Sequence, residues 1–205
     1  MSAKFITLEG IEGSGKSTQL DFIVTFLREK NIQVVQTREP GGTETGELIR
    51  GILLSNDIAG MHEDTELTLM CAARIEHVKK VIVPALNAGK WVVSDRFYDA
   101  TYAYQGYGRG IDLDKIDKLR EFTIGNIKPD LTLLLDIDLD TSAKRVEQRG
   151  SQDRFEKEKM EFYTKVRNGY LALAKQDANR ITVIDSTCSV EQVQSAIATQ
   201  LTELL

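Results

Sequence analysis

The chain has 205 residues, a length that suits one domain built around a single core. Its charged residues (28%) and hydrophobic residues (41%) are near the averages for globular proteins. The formal net charge of −5 argues against a general nucleic-acid binder, which usually carries a basic stripe, although a local cluster of Arg and Lys can still hold a small anion.

The sequence also bears on location and redox state. It shows no secretory leader and no apolar run of membrane-spanning length, so we expect a cytoplasmic protein without a membrane partner. The two cysteines, Cys71 and Cys188, have no metal-ligand spacing and lie in apolar stretches, which predicts two buried thiols.

Five short apolar runs alternate with longer amphipathic stretches. This alternation predicts an α/β fold with a five-stranded parallel sheet and helices on both faces. The predicted strands are 5–8, 34–37, 91–94, 131–135 and 181–184. The predicted helices are 17–29, 43–54, 63–86, 113–122, 141–149, 162–174 and 190–204. Pro84 is expected to kink the longest helix, and ligands are expected outside the carboxyl ends of the strands.

The first predicted strand runs directly into the sequence GIEGSGKST. This is the GxxxxGK[ST] phosphate-loop pattern, between a strand and a helix as the pattern requires. Its backbone N–H groups can wrap an anion, the lysine can reach the terminal phosphates, and the serine hydroxyl can ligate Mg²⁺. The predicted ATP-binding residues are Gly10, Ile11, Glu12, Gly13, Ser14, Gly15, Lys16, Ser17 and Thr18. The pattern identifies nucleotide binding better than it identifies a reaction.

Two further polar motifs follow predicted strands. Arg38 opens the sequence REPGG, and an arginine fork suits bidentate recognition of phosphate. Asp95 and Arg96 end the strand 91–94, where the acid can hold Mg²⁺ and Arg96 can bridge two phosphates. Taken alone, Arg38 also fits a surface arginine before an ordinary turn, and Asp95 with Arg96 also fits a structural ion pair at a strand end.

The long helix and the segment after Arg96 carry further candidates. Arg74 shares a helix face with Met70, and an arginine on an apolar face needs a partner, either a ligand carbonyl or a buried carboxylate. The helical segment 101–106 contains Tyr104 and Gln105, which can pack a sugar and hydrogen-bond a base. The two histidines, at positions 62 and 77, are expected on helix surfaces.

In these motifs the chain resembles the bacterial thymidylate kinases over nearly its whole length. The shared markers are residues 10–18, 37–42, 72–74, 95–96, 103–106, 109–110 and 129–132. The resemblance implies a P-loop kinase fold and the ATP-dependent phosphorylation of dTMP to dTDP for dTTP biosynthesis. It also implies Mg²⁺ as cofactor and a homodimer built through the long helices.

The resemblance assigns roles at the acceptor side. Arg38 and Arg96 would hold the acceptor phosphate, Glu12 would lie near the sugar hydroxyl and the metal, and Tyr104 would crowd the sugar C2′ position.

The resemblance also places residues around the base. Arg74 would meet thymine O4, and Thr101 and Gln105 would lie near the base edge. Where the family usually stacks Phe on thymine, this chain has Met70, whose sulfur can replace the aromatic contact in part.

A basic segment near the end of the predicted helix 141–149 is a candidate lid. The phosphate loop lacks an arginine, and in one branch of the family a mobile segment supplies that cation instead. We therefore predict a single domain, 1–205, with a lid at about 145–156 that hinges at Gly150. Arg149 would be the transition-state cation, and Arg145, one turn away, its support beside an adenine pocket near 186–188. A solvated charged helix is the alternative.

The predicted mechanism needs no general base, because a phosphate acceptor is already largely a dianion at neutral pH. Lys16, Arg96 and Arg149 are the predicted catalytic residues, and Ser17 and Asp95 the metal ligands. Two other functions stay open. The first is a deoxynucleoside kinase, which would need a carboxylate as general base for a 5′-hydroxyl. The second is a P-loop switch ATPase, which would give no role to Arg38, Arg74 and Arg96.

Overall fold

The structure is a computed structural model that describes residues 2–58, 60–150 and 153–205, and of Arg149 only the backbone. It confirms the predicted five-stranded parallel sheet, with strand order β2-β3-β1-β4-β5. The strands are β1 Phe5–Glu9, β2 Val34–Arg38, β3 Trp91–Asp95, β4 Leu131–Asp136 and β5 Ile181–Asp185.

Every strand extends one residue beyond its predicted end. In each case the added residue is charged, so apolar patterning alone stops one position early although the ladder of backbone hydrogen bonds continues. The five added residues are Glu9, Arg38, Asp95, Asp136 and Asp185. The carboxyl edge of the sheet is therefore rich in charged side chains.

Helices connect these strands in the predicted order. The α-helices are α1 Lys16–Glu29, α2 Glu44–Leu54, α3 Glu63–His77, α4 Val83–Asn87, α5 Tyr98–Thr101, α6 Leu113–Ile124, α7 Leu139–Arg149, α8 Met160–Gln176 and α9 Val190–Leu204. The described residues also include two π-helical segments, π1 Val78–Ile82 and π2 Tyr102–Gly108.

The predicted helix 63–86 is continuous but changes its winding. It runs from α3 through π1 into α4, and the wider π turn ends at Ile82, two residues before Pro84. Proline has no N–H to donate and its ring clashes with the carbonyl four residues earlier. A π turn relieves both constraints, so the disturbance expected at Pro84 takes this form.

Apolar clusters cover both faces of the sheet. On one face, Ile23 of α1 and Ile197 of α9 cluster with Leu8 and Leu133 of the central strands. The other face is covered by α3, π1 and α6. A third cluster joins π2, α8 and the segment before α8 through Tyr104, Phe155, Phe162 and Tyr170. This last cluster supports one wall of the site described below.

Two sequence-based predictions were wrong. His77 is fully buried rather than on the surface, because this last residue of α3 packs against Thr37 at the end of β2 and against Glu39, which follows that strand. Cys188 is exposed in the loop after β5, whereas Cys71 is buried as expected. Among the described helices, none has the length and apolar character that a membrane span requires.

Candidate active site

The phosphate loop connects β1 to α1, and the backbone at Leu135 and Ser142 packs closely against it. Gly10 and Gly13 have positive φ angles of 139° and 73°. A Cβ at Gly10 would lie 2.5 Å from the carbonyl oxygen of Leu135, and one at Gly13 would lie 2.7 Å from that of Ser142. Both positions therefore require glycine for conformation and for space.

Lys16 is the buried cation of this loop. Its Nζ donates hydrogen bonds to the carbonyl oxygens of Gly10 (2.9 Å) and Ile11 (2.8 Å). Burial and the positive charge of Arg96 lower the pKa of Lys16 to about 8, although nearby carboxylates oppose the shift. A bound anion would favour the charged lysine, so this part of the loop is suited to phosphate.

The predicted phosphate-side residues converge on one cleft, which we call the loop cleft. Residues of the phosphate loop form one wall, and residues that follow β2 and β3 form the other. Its lining includes Glu12, Gly13, Gly15, Lys16, Ser17, Thr18, Arg38, Asp95, Arg96 and Arg145. The carboxyl edges of three neighbouring strands thus bring motifs that are far apart in sequence into one space.

The residues present fit a magnesium ion. Ser17 and Asp95 both line the loop cleft. Asp95 Oδ1 is buried without a hydrogen-bond partner among the described residues, and its nearest cation is Arg96 Nη1 at 3.8 Å. No cage of three or more acidic, His or Cys side chains occurs in the described ranges. Mg²⁺ bound to nucleotide phosphates needs only one or two protein oxygens, so this sparse set suffices.

Arg96 lies at the centre of the site in a constrained backbone conformation. Its φ is +68°, uncommon for a residue with a side chain. Three hydrogen bonds hold this turn. The Arg96 N–H donates to Leu8 O (2.9 Å), Ser94 Oγ donates to Arg96 O (2.8 Å), and the Phe97 N–H donates to Glu9 Oε1 (2.7 Å). The turn therefore directs the Arg96 guanidinium over the phosphate loop.

The Arg96 side chain belongs to a triad with Glu12 and Tyr104. Arg96 Nη2 donates to Glu12 Oε1 (2.7 Å), and the Tyr104 hydroxyl donates to Glu12 Oε2 (2.6 Å). Burial raises the pKa of Glu12, but Arg96 and Lys16 outweigh it, so the net pKa lies below its ordinary value. Glu12 is thus an ionised acceptor between two donors.

Glu9 is a buried carboxyl group close to Arg96 of the triad. Its second oxygen accepts a hydrogen bond from Tyr170 (2.7 Å). Burial and the nearby Asp99 carboxylate raise the pKa of Glu9 to about 8. Glu9 follows the predicted strand 5–8, and no role was predicted for it.

A second, smaller cavity shares a wall with the loop cleft, and we call it the inner cavity. It gathers the residues that the resemblance placed around sugar and base: Glu12, Met70, Arg74, Arg96, Thr101, Tyr104 and Gln105. The two cavities share Glu12 and Arg96. The geometry is that of one continuous binding region with a polar end and a more apolar end.

Arg74 resolves one of the alternatives left open by the sequence. Its Nε donates to Glu39 Oε2 (2.7 Å) and its Nη2 to Phe97 O (3.2 Å), so its protein partner is a buried carboxylate. Burial raises the pKa of Glu39, but Arg74 and His77 outweigh it and hold the pKa below its ordinary value. Glu39 is therefore held as an ion-pair partner, which disfavours it as a general base for a hydroxyl acceptor.

Several residues that line the site were given no role from the sequence. Arg50 of α2 lines both cavities and donates from Nη1 to Pro40 O (2.9 Å). An arginine inside the apolar stretch of α2 was the available signal. Asp153 and Phe155 also line the inner cavity; they lie within the predicted lid at about 145–156, but no role was predicted for either residue.

The remaining predicted residues have mixed outcomes. Arg38 is exposed and pairs with Glu47 of α2 at 2.9 Å. Arg145 donates to Gly13 O (3.2 Å) and Ser186 O (3.3 Å), so it lies between the phosphate loop and the predicted adenine loop. The side chain of Arg149 lies outside the described residues, and its role stays a prediction.

A phosphate loop on a five-stranded parallel sheet, faced across one cleft by arginines from neighbouring strands, defines the class of P-loop kinases. Comparison with known proteins narrows this class further. A family model described as "Thymidylate kinase" matches residues 8–197. The chain belongs to the thymidylate kinase family.

Individual relatives agree with this assignment. The chain is 54% identical over 202 residues to a thymidylate kinase of Methylococcus capsulatus, covering 98% of this chain and 96% of the relative. It is 52% identical over 194 residues to one of Ruthia magnifica, covering 95% of each. A crystal structure of thymidylate kinase from Ehrlichia chaffeensis has a TM-score of 0.82 at 37% identity, covering 98% of this chain and 100% of that chain.

Proposed function

We propose that this protein transfers the γ-phosphoryl group of ATP to dTMP and forms dTDP. The observation that carries the proposal is the pairing of two cationic groups across one cleft. Lys16 lies on the phosphate-loop wall, and Arg38, Arg50 and Arg96 lie on the facing wall. Such a pairing suits two phosphorylated substrates rather than one.

The proposed chemistry depends on positioning and charge neutralisation. The acceptor phosphate, with a second pKa of about 6, is largely a dianion at neutral pH and needs no base to activate it. The obstacle is the repulsion between two polyanions. Lys16 is buried and the Arg96 side chain is only 19% exposed, so their charges act where screening by water is weakened. They hold the donor and acceptor in line.

Mg²⁺ is the cofactor that we propose for the loop cleft, with Ser17 and Asp95 as its protein ligands. When bound, the ion would neutralise charge on the donor phosphates. The orphaned Asp95 Oδ1 supports this assignment, because a buried carboxylate oxygen without a donor is costly.

The inner cavity would select the nucleoside. The Tyr104 hydroxyl is held by Glu12, and its ring has edge contacts with Phe155, Phe162 and Tyr170, so the ring has little freedom to move aside. This fixed ring supports the proposal that a 2′-hydroxyl is excluded. At the base end, Arg74 would donate to a ring carbonyl.

The domain organisation is also part of the proposal. We infer a single domain, 1–205, whose lid at about 145–156 closes over ATP, with Arg149 as the transition-state cation and Arg145 beside adenine. The two contacts of Arg145, with the phosphate loop and with Ser186, support the adenine assignment.

We further propose that the protein forms a homodimer through its long helices. Helix α3 packs against both α2 and α6. Apolar side chains on the outer two helices face solvent, with Leu48 of α2 71% exposed and Phe122 of α6 81% exposed. A second copy of the chain would cover such side chains.

The test is to incubate the protein with ATP, Mg²⁺ and a panel of nucleoside monophosphates and to identify the products. We expect dTDP from dTMP at the highest rate in the panel. Diphosphate from another monophosphate, with none from dTMP, would show that the base assignment is wrong.

A further inference from the structure

Glu66 is a buried carboxylate that the mechanism above does not use. It lies on α3 with 1% of its surface exposed. Gln105 Nε2 donates to its Oε1 at 2.8 Å, and Arg109 donates from Nε and Nη2 at 3.3 and 3.2 Å. Arg154 Nη2 lies 2.8 Å from its Oε2. One carboxylate thus joins α3, π2 and the segment that precedes α8.

Two guanidinium groups flank the Glu66 carboxylate, and a carboxylate oxygen beside these donors acts as a hydrogen-bond acceptor. Arg109 is held in turn by Glu158 at 2.6 Å and lies over the ring of Phe162. Arg109 and Arg154 therefore hold in place the Glu66 carboxylate, whose Oε1 accepts the hydrogen bond from Gln105.

The hydrogen bond to Glu66 determines the orientation of the Gln105 side-chain amide. Only the amide nitrogen can donate to Glu66, so the amide oxygen is directed away from it. Gln105 also lines the inner cavity. The cavity is therefore lined by an acceptor from Gln105 and a guanidinium from Arg74, which has donors only.

The Gln105 acceptor and the Arg74 donors complement the base edge of thymine and uracil, and not that of cytosine. Thymine and uracil carry an N3–H donor beside the O4 acceptor, whereas cytosine carries an N3 acceptor beside an amino donor. A Gln105 amide turned the other way would direct its NH2 group into the cavity and could donate to cytosine N3. The orientation of one amide thus bears on the choice of base.

We propose that Glu66 is a positioning residue that holds the Gln105 amide oxygen toward the base and thereby sets discrimination against cytosine. The proposal rests on the proposed function, because it assumes that a pyrimidine base occupies the inner cavity. Glu66 acts through Gln105 and does not itself touch the substrate.

The test compares dTMP with dCMP in Glu66→Gln, whose side-chain amide can offer Gln105 either a donor or an acceptor. We expect the dTMP-to-dCMP ratio of kcat/KM to fall by at least about tenfold, since leaving one polar group unpaired costs about this much. The same ratio is measured for the dissociation constants by calorimetry. Glu63→Gln, an exposed glutamate on the same helix, is the matched control and should leave both ratios unchanged.

A second variant covers the case in which Glu66→Gln does not fold. Glu66→Asp keeps the charge that Arg109 and Arg154 require but withdraws the acceptor from Gln105, so the ratio should fall while the fold is retained. In a double-mutant cycle with Gln105→Leu, the Glu66 change should have no further effect on the ratio. Unchanged ratios in folded variants would overturn the proposal for Glu66 alone. A wild-type protein that neither binds nor phosphorylates dTMP would overturn the proposed function, and this inference with it.

Discussion

At the scale of single residues, the polar groups of the site are held by buried partners behind the cavity wall. Arg74 is held by Glu39, and Glu39 is held in turn by His77, whose Nδ1 lies 2.9 Å from Glu39 Oε1. Because an ionised carboxylate only accepts, Nδ1 carries the proton, and Nε2 meets the Thr37 hydroxyl at 2.6 Å. His77 thus extends the support of Arg74 to β2.

A pair of substitutions tests this chain of contacts. His77→Leu leaves Glu39 Oε1 without its donor, so we expect the KM for dTMP to rise about tenfold and the free energy of unfolding to fall by about 1–3 kcal/mol. His77→Asn is the matched variant, because its amide can replace the Nδ1–H donor and should restore most of the KM. Steady-state kinetics and urea denaturation measure both. Equal KM values in the wild type and His77→Leu would contradict the account.

Glu9 gives a prediction about pH. Burial and Asp99 raise the pKa of Glu9 to about 8, from an ordinary value of 4.5. Between these two pKa values Glu9 is protonated in the folded protein and ionised in the unfolded chain. The contribution of Glu9 to the free energy of unfolding therefore falls as pH rises, by up to about 1.4 kcal/mol per pH unit. Glu9→Gln removes this titration and keeps the shape of the side chain.

The measurement is the free energy of unfolding between pH 5 and pH 9. We expect Glu9→Gln to gain stability relative to the wild type as pH rises through this range. A difference between the two proteins that does not change with pH would show that Glu9 keeps its ordinary titration in the fold.

At the scale of elements, the sequence predicted strand and helix order well, because each strand is a short apolar run and each helix has a clear period. The failures have local physical causes. Strand ends were placed one residue early, because their last residues are charged. His77 appeared polar by pattern, and only the packing of α3 on β2 shows that it is buried.

The predicted lid depends on α7. This helix ends at Arg149, one turn after Arg145, whose contacts with Gly13 and Ser186 anchor it to the phosphate loop. Removing an arginine that completes phosphoryl transfer costs on the order of 10³–10⁵ in rate in well-studied systems. We expect Arg149→Ala to lower kcat at least about a hundredfold with little change in dTMP affinity.

The control for this prediction is Lys144→Ala, a charge removal on an exposed position of the same helix. Single-turnover rates and dTMP binding are measured in parallel. An Arg149→Ala protein with near-normal kcat would show that α7 does not complete the active site.

At the scale of the whole molecule, the parallel sheet explains why motifs distant in sequence could be assembled from the sequence alone. Strands that run in one direction end at one edge, so residues after β1, β2 and β3 had to meet there. Supporting groups such as Glu66 and Arg50 could not be predicted in this way. Their roles arise from helix packing over the sheet, which one sequence does not encode as a motif.

The site geometry favours a phosphate group, and not a sugar hydroxyl, as the acceptor of the phosphoryl group in this cleft. The most direct test compares dTMP and thymidine as acceptors under identical conditions with ATP and Mg²⁺, with a third reaction that lacks any acceptor. We predict one dTDP for each ADP with dTMP, no phosphorylation of thymidine, and little ATP consumption without acceptor. Phosphorylation of thymidine, or ATP hydrolysis at the same rate without acceptor, would contradict the account.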